Sequence, residues 1–278
     1  MPRPREGRHS TLVSLLGSAD ADMVGRARAA AAATGDIDAC RDTAALREAF
    51  PPPYDPKTVA EVAALSAELG RISALREVGR IKEGRAAAQA VVPRARALAY
   101  PPILAAALRR EIEFEHLGGD DAVAVAAAYE TAAVAAQARD DAEVARAFAS
   151  VEMILGNDGG HREAADVAFQ AARAAANRAG NPPRTLSFLF QCRARVLRSR
   201  DDRMGALHLE LLTLALDRTV DGPSAPRLPM DLARVGDTFH EAARPDAARP
   251  YYDRALAGAR DPPGRVRARP SCGRRDLR

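Results

Sequence analysis

Tryptophan is absent from this chain of 278 residues, and aromatic residues supply only 4% of it against 47% apolar residues overall. The apolar content therefore comes mainly from Ala, with Leu and Val. Such residues cannot fill a thick β-sandwich core. They suit thin helix–helix packing, where Ala lets backbones approach and loses no side-chain entropy. Cysteine is scarce as well. Cys40, Cys192 and Cys272 are odd in number and far apart, with no CxxC pair. This excludes a disulfide framework and fits a reducing compartment. No window approaches the roughly 18 uninterrupted apolar residues of a membrane span. The opening MPRPREGRHS leads into a short apolar run, TLVSLLG, without a secretory cleavage site. A soluble, cytoplasmic protein without membrane insertion is expected.

A basic surface is also lacking, despite a net charge of +4. Residues 257–278 hold seven Arg and two Asp, and residues 1–9 hold three Arg and one Glu. These segments contribute +5 and +2, which leaves −3 for the body over 10–256. The basic pI belongs to the tails and does not mark a nucleic-acid face.

What is present is a repeat. In and around VGDTFHEAARPDAARPYYDRAL (235–256), the residues Leu232, Val235, Gly236, Phe239, Ala248, Tyr252, Ala255 and Pro262 follow the order of a tetratricopeptide (TPR) unit. Stepping back by 42 from Ala248 reaches Ala206, Ala164 and Ala122, and a step of 38 more reaches Gly84. Phe148, Phe190 and Leu232 keep the interval of 42, as do Leu155, Leu197 and Phe239. Polar or Gly-rich turns precede each small residue, and breakers such as AYPP (99–102), AGNPP (179–183) and RDPP (260–263) separate the units. No segment alternates with the period of a strand.

The expected fold is all-α, a right-handed TPR-like α-solenoid of about five helix-turn-helix units with a period near 42 residues. The small residue marks the closest approach of paired helices, so Ala164→Leu is expected to cost roughly 1–3 kcal/mol by overpacking. Pro250, about a turn inside the last helix, is expected to distort that helix or delay its start. The expected layout is a disordered basic N-terminus (1–9), a helical prelude and Pro-rich linker (10–56), the solenoid (57–262) and a disordered Arg-rich tail (263–278).

The N-terminal half, with TLVSLLGSADADMVGRARAA, the Cys40-Arg41-Asp42 loop, PPPYDP (51–56) and the turn Gly79-Arg80-Ile81-Lys82-Glu83-Gly84, resembles the region after the kinase domain in large bacterial Ser/Thr protein kinases with C-terminal TPR arrays. ARDDAEVARAFASVEMILG (138–156) is similar in style. The resemblance spans roughly residues 10–260 and implies a sensing or docking region rather than the enzyme. The catalytic elements of a kinase are missing from the sequence. There is no GxGxxG loop, the only lysines are Lys57 and Lys82, and His161-Arg162-Glu163 matches HRD by letters alone. No enzymatic activity is expected of this chain.

Several constellations read as packing or solvation. Glu113-x-x-His116 and Asp237-x-x-His240 each place two potential ligands on one helical face. They lie three units apart, too far to share an ion, so no metal and no cofactor are expected. Asp120-Asp121, Asp140-Asp141 and Asp201-Asp202 fit helix N-termini, where carboxylates favour the dipole. Cys192, among Phe188, Phe190 and Val196, reads as a packed thiol.

What remains is the face lined by first helices. The repeat register places Arg146, Met153, Gln191, Arg195, Arg198, Asp237 and His240 there as a partner-binding groove. Arg195 and Arg198 can grip a carboxylate or stand as ordinary solvated arginines. The Lys/Asn clamp of chaperone-binding TPR proteins is not found at the matching places. The expected function is a non-catalytic scaffold that binds a protein or peptide segment, as the regulatory or sensing region of, or a homologue of that region in, a Ser/Thr protein kinase. Two alternatives stand beside it. One is a fragment of a kinase whose catalytic domain is encoded upstream. The other is the TPR-type sensor of a transcriptional regulator, for which no DNA-binding helix-turn-helix is found.

Overall fold

The computed structural model describes residues 50–260, except 158, 159, 223, 224 and 226, together with the isolated Gly17. The expected prelude over 10–49 and both tails lie outside the described residues, apart from Gly17. Among the described residues there are ten α-helices and no strand. They are α1 (Pro56–Glu77), α2 (Ile81–Ala97), α3 (Pro101–Gly118), α4 (Asp121–Gln137), α5 (Asp141–Asn157), α6 (Arg162–Arg178), α7 (Pro183–Ser199), α8 (Arg203–Asp221), α9 (Leu228–Glu241) and α10 (Pro245–Arg260).

Local chemistry sets the helix boundaries. Prolines occupy the first turns of α1, α3, α7 and α9, where their missing N–H costs nothing. The acidic turns cap the helices that follow. Asp120 accepts from the Val123 amide at 3.3 Å, Asp140 from Glu143 at 2.9 Å and Asp202 from Gly205 at 2.8 Å. One ending is shared by α1, α3, α7 and α9, and by α4 and α6. At α3 the Gly119 amide donates to the His116 carbonyl and the Asp120 amide to the Glu115 carbonyl, with Gly119 at φ 84°. That is the Schellman arrangement, which needs a left-handed residue after the helix. The same pair of bonds recurs from Gly79 and Arg80, from Asp201 and Asp202, and from Ala243 and Arg244.

These bonds fix the true register. The amides of Gly84, Ala124, Ala165, Ala206 and Ala248 bond to the carbonyls of Arg80, Asp120, His161, Asp202 and Arg244, which sit just ahead of or at the start of the even-numbered helices. All five residues are buried, and successive intervals are 40, 41, 41 and 42. The constant step of 42 is therefore corrected. Ala122 and Ala164 are exposed, and Ala124 and Ala165 hold the buried place. In the same way Gly156, and not Leu155, stands 41 residues before Leu197. The Pro250 expectation is corrected in part, because α10 begins at Pro245 and carries Pro250 inside it without a delayed start. Pro93 is accommodated likewise inside α2.

Helices pack in order along the chain, α1 on α2 through α9 on α10. In addition α1 packs on α3, α3 on α5 and α5 on α7, whereas no comparable contact joins consecutive even-numbered helices among the described residues. The core is thin and runs along the stack. Its largest part joins Leu65, Ile72 and Leu75 of α1 to Val91, Leu108 and Phe114, and continues to Val144 and Ala175. A smaller cluster around Leu214, Leu228, Leu232 and Ala255 holds the last unit. No described helix is long and apolar enough to cross a membrane.

Candidate functional site

The seam between α5 and α7 is tight. Gly156 is buried, and a Cβ there would meet both Val196 methyl groups at 2.7 Å. No packing of that kind joins α7 to α9, and α9 rests chiefly on α8 and α10. A wedge opens between α7 and α9, floored by α8. It encloses a cleft of ≈ 240 Å³, with Met153, Phe188, Cys192 and Ala194 on its apolar side. Its polar lining is Gln191, Arg195, Arg198, Glu210, Thr213, Asp231 and Arg234.

Four of the seven residues expected in a groove meet here, namely Met153, Gln191, Arg195 and Arg198. The other three lie elsewhere. Arg146 is half-buried on α5; burial pushes its guanidinium pKa down, against the attraction of Glu143. Asp237 is exposed on α9 and accepts a hydrogen bond from the Tyr252 hydroxyl at 2.9 Å. His240 is exposed in the last turn of the same helix.

The floor of the cleft was not legible from the repeat register. Helix α8 buries Glu210, Thr213, Leu214 and Asp217 on one stripe, and α9 adds Asp231. Asp231 pairs with Arg234, which also donates to the Gln191 Oε1 at 3.0 Å. Arg198 stands 3.7 Å from Glu210, beyond hydrogen-bond reach, and Arg227 stands 3.8 Å from Asp217. Thr213 Oγ1, Asp217 Oδ2 and Asp231 Oδ2 are buried without a hydrogen-bond partner. Burial raises the Asp231 carboxyl to about 6, with Asp217 adding to the rise and Arg234 opposing it. Burial also pushes the Glu210 carboxyl up. A polar residue at i, i+3 and i+7 on the stripe that carries Leu207 and Leu214 is the signal that could have found this floor.

At the mouth, Arg195 is exposed and makes no ion pair among the described residues. Cys192 is buried against Ala149, Ala172 and Leu189, and burial pushes its thiol well above the usual range. Such a thiol is not poised as a nucleophile. The His-carboxylate pairs noted in the sequence are engaged locally. Glu113 bonds to Arg110 and faces Arg76 at 3.5 Å, and His116 Nδ1 lies 2.7 Å from Asp121. Among the described residues no group of three or more His, Cys, Asp or Glu side chains is placed to hold a metal ion.

No family model and no curated protein matches the sequence. Among solved structures, the crystal structure of BtubC (BKLC) from P. vanneervenii is similar, with a TM-score of 0.55 at 15% identity. The match covers 90% of this chain and 95% of that one. At such identity the likeness speaks for the helical fold alone. The described residues form helices and their connections, with packing consistent with a helical repeat.

Proposed function

We propose that the protein is a right-handed TPR-like solenoid acting as a non-catalytic scaffold, with a protein or peptide segment held on the face of its odd-numbered helices. The observation that carries this reading is the unequal packing of the stack. Helices α1, α3, α5 and α7 pack on one another in turn, whereas no comparable contact joins consecutive even-numbered helices among the described residues. We read this as a stack that bends toward the odd side. Solenoids use such a concave surface for extended partners. On that surface the α7–α9 wedge offers Arg195, Arg198 and Gln191 as polar contacts beside an apolar wall.

The kinase resemblance extends the proposal to the regulatory or sensing region of a Ser/Thr protein kinase, or a homologue detached from one. Cross-linking and pull-down with Arg195→Ala/Arg198→Ala test the scaffold. Loss of one or more partners relative to the unaltered protein is expected. An identical partner set from a folded double variant rejects this groove. An ATP-binding measurement separates the scaffold from the alternative of a catalytic kinase fragment, and no binding is expected.

A further inference from the structure

The cleft combines features that a neutral protein surface does not need. Its floor holds buried acceptors without donors. Thr213 is 2% exposed and Asp231 4% exposed, and Thr213 Oγ1 and Asp231 Oδ2 lack partners. A buried polar atom without a hydrogen bond is destabilising, so a ligand that supplies a donor beside it recovers part of that cost. The mouth has the opposite character. Among the described residues Arg195 has no carboxylate partner, and Arg198 holds Glu210 only loosely at 3.7 Å. The cleft also has an apolar lining of Met153, Phe188 and Ala194.

A simple anion satisfies the mouth and is repelled by the buried acids. A simple cation satisfies the floor and is repelled by the arginines. A ligand carrying both charges on adjacent atoms satisfies both ends. We infer that the α7–α9 cleft binds a free apolar α-amino acid, its carboxylate on Arg195 and Arg198, its ammonium toward Asp231 and Thr213, and its side chain against Met153 and Phe188. The cleft of ≈ 240 Å³ suits a ligand of that size and not a drug-sized one. The inference concerns a small molecule and stands whether or not the odd-helix face also holds a protein segment.

The test is calorimetric titration of the full chain with leucine, methionine and phenylalanine, and with the N-acetyl and carboxamide derivatives of whichever binds. Saturable binding of at least one free amino acid is expected, with each capped derivative at least 10-fold weaker. Arg195→Ala and Thr213→Val are each expected to weaken binding about 10-fold; circular dichroism confirms that each variant is folded. If Thr213→Val does not fold, Arg195→Ala alone decides. Failure of all three amino acids to bind at millimolar concentration overturns the inference. So does equal binding of the N-acetyl derivative, which would mark an anion site such as an acidic peptide uses, or equal binding of the carboxamide, which would mark a cation site.

Discussion

A Cβ added to Gly84 would lie 2.1 Å from the ring of Phe114, which is wholly buried. Gly84 opens α2 and Phe114 sits late in α3, so one unit's second helix closes on the next unit's first helix through this contact. Elsewhere in a helix, replacing Gly by Ala gains about 1 kcal/mol. Here the ring must move, and overpacking of this kind costs roughly 1–3 kcal/mol. Gly84→Ala is therefore expected to lower stability despite the better helix former, and urea unfolding checks the sign. A stabilised variant would show that α2 and α3 do not meet this way.

Adjacent alanines in α6 give a sharper test of register. Ala165 is fully buried and Ala164 is exposed. Ala165→Leu is expected to destabilise by roughly 1–3 kcal/mol. Ala164→Leu should stay within about 0.5 kcal/mol of the parent. Thermal melts of the pair decide between intervals of 41 and 42.

Glu152 is fully buried on α5 beside Arg193 of α7, which also bonds to Asp166 at 2.6 Å. Burial raises its carboxyl from 4.5 to about 8, with Arg193 opposing the rise. Between these values the folded protein binds a proton that the unfolded chain has released. This group's contribution to stability therefore falls as pH rises from about 4.5 to 8, by up to ~1.4 kcal/mol per pH unit. Glu152→Gln should flatten that part of the stability–pH profile. An unchanged profile would mean that the carboxyl titrates normally.

The Asp202 carboxylate caps α8 through the Gly205 amide at 2.8 Å. Asp202→Ala should cost about 1 kcal/mol. Asp202→Asn keeps an accepting oxygen and should restore most of it. Denaturant midpoints of the three proteins measure the difference.

Burial also shields Cys192. In a Cys40→Ser/Cys272→Ser background, its thiol should react with a disulfide reagent only at the rate of unfolding. Fast labelling of the native protein would contradict its place between Ala149, Ala172 and Leu189.

The amino-acid sequence by itself determined the helical class, the pairing of helices and the capping of their ends. Ala-rich periodicity, Pro at first turns and Asp at N-caps act within a few residues, so neighbours along the chain suffice to read them. The same sequence misplaced Ala122 and Ala164 because almost any nearby position in α4 or α6 is also Ala. Only the turn hydrogen bonds that the Asp120 and His161 carbonyls accept select Ala124 and Ala165. Tertiary structure alone decided which charges are buried. Glu115 looks like a solvated helix residue until Arg85 and Gln89, 30 and 26 positions away, close over it. The α7–α9 cleft is of the same kind. Its walls and floor come from four helices, and its openness depends on how far α9 stands from α7, which no local pattern encodes.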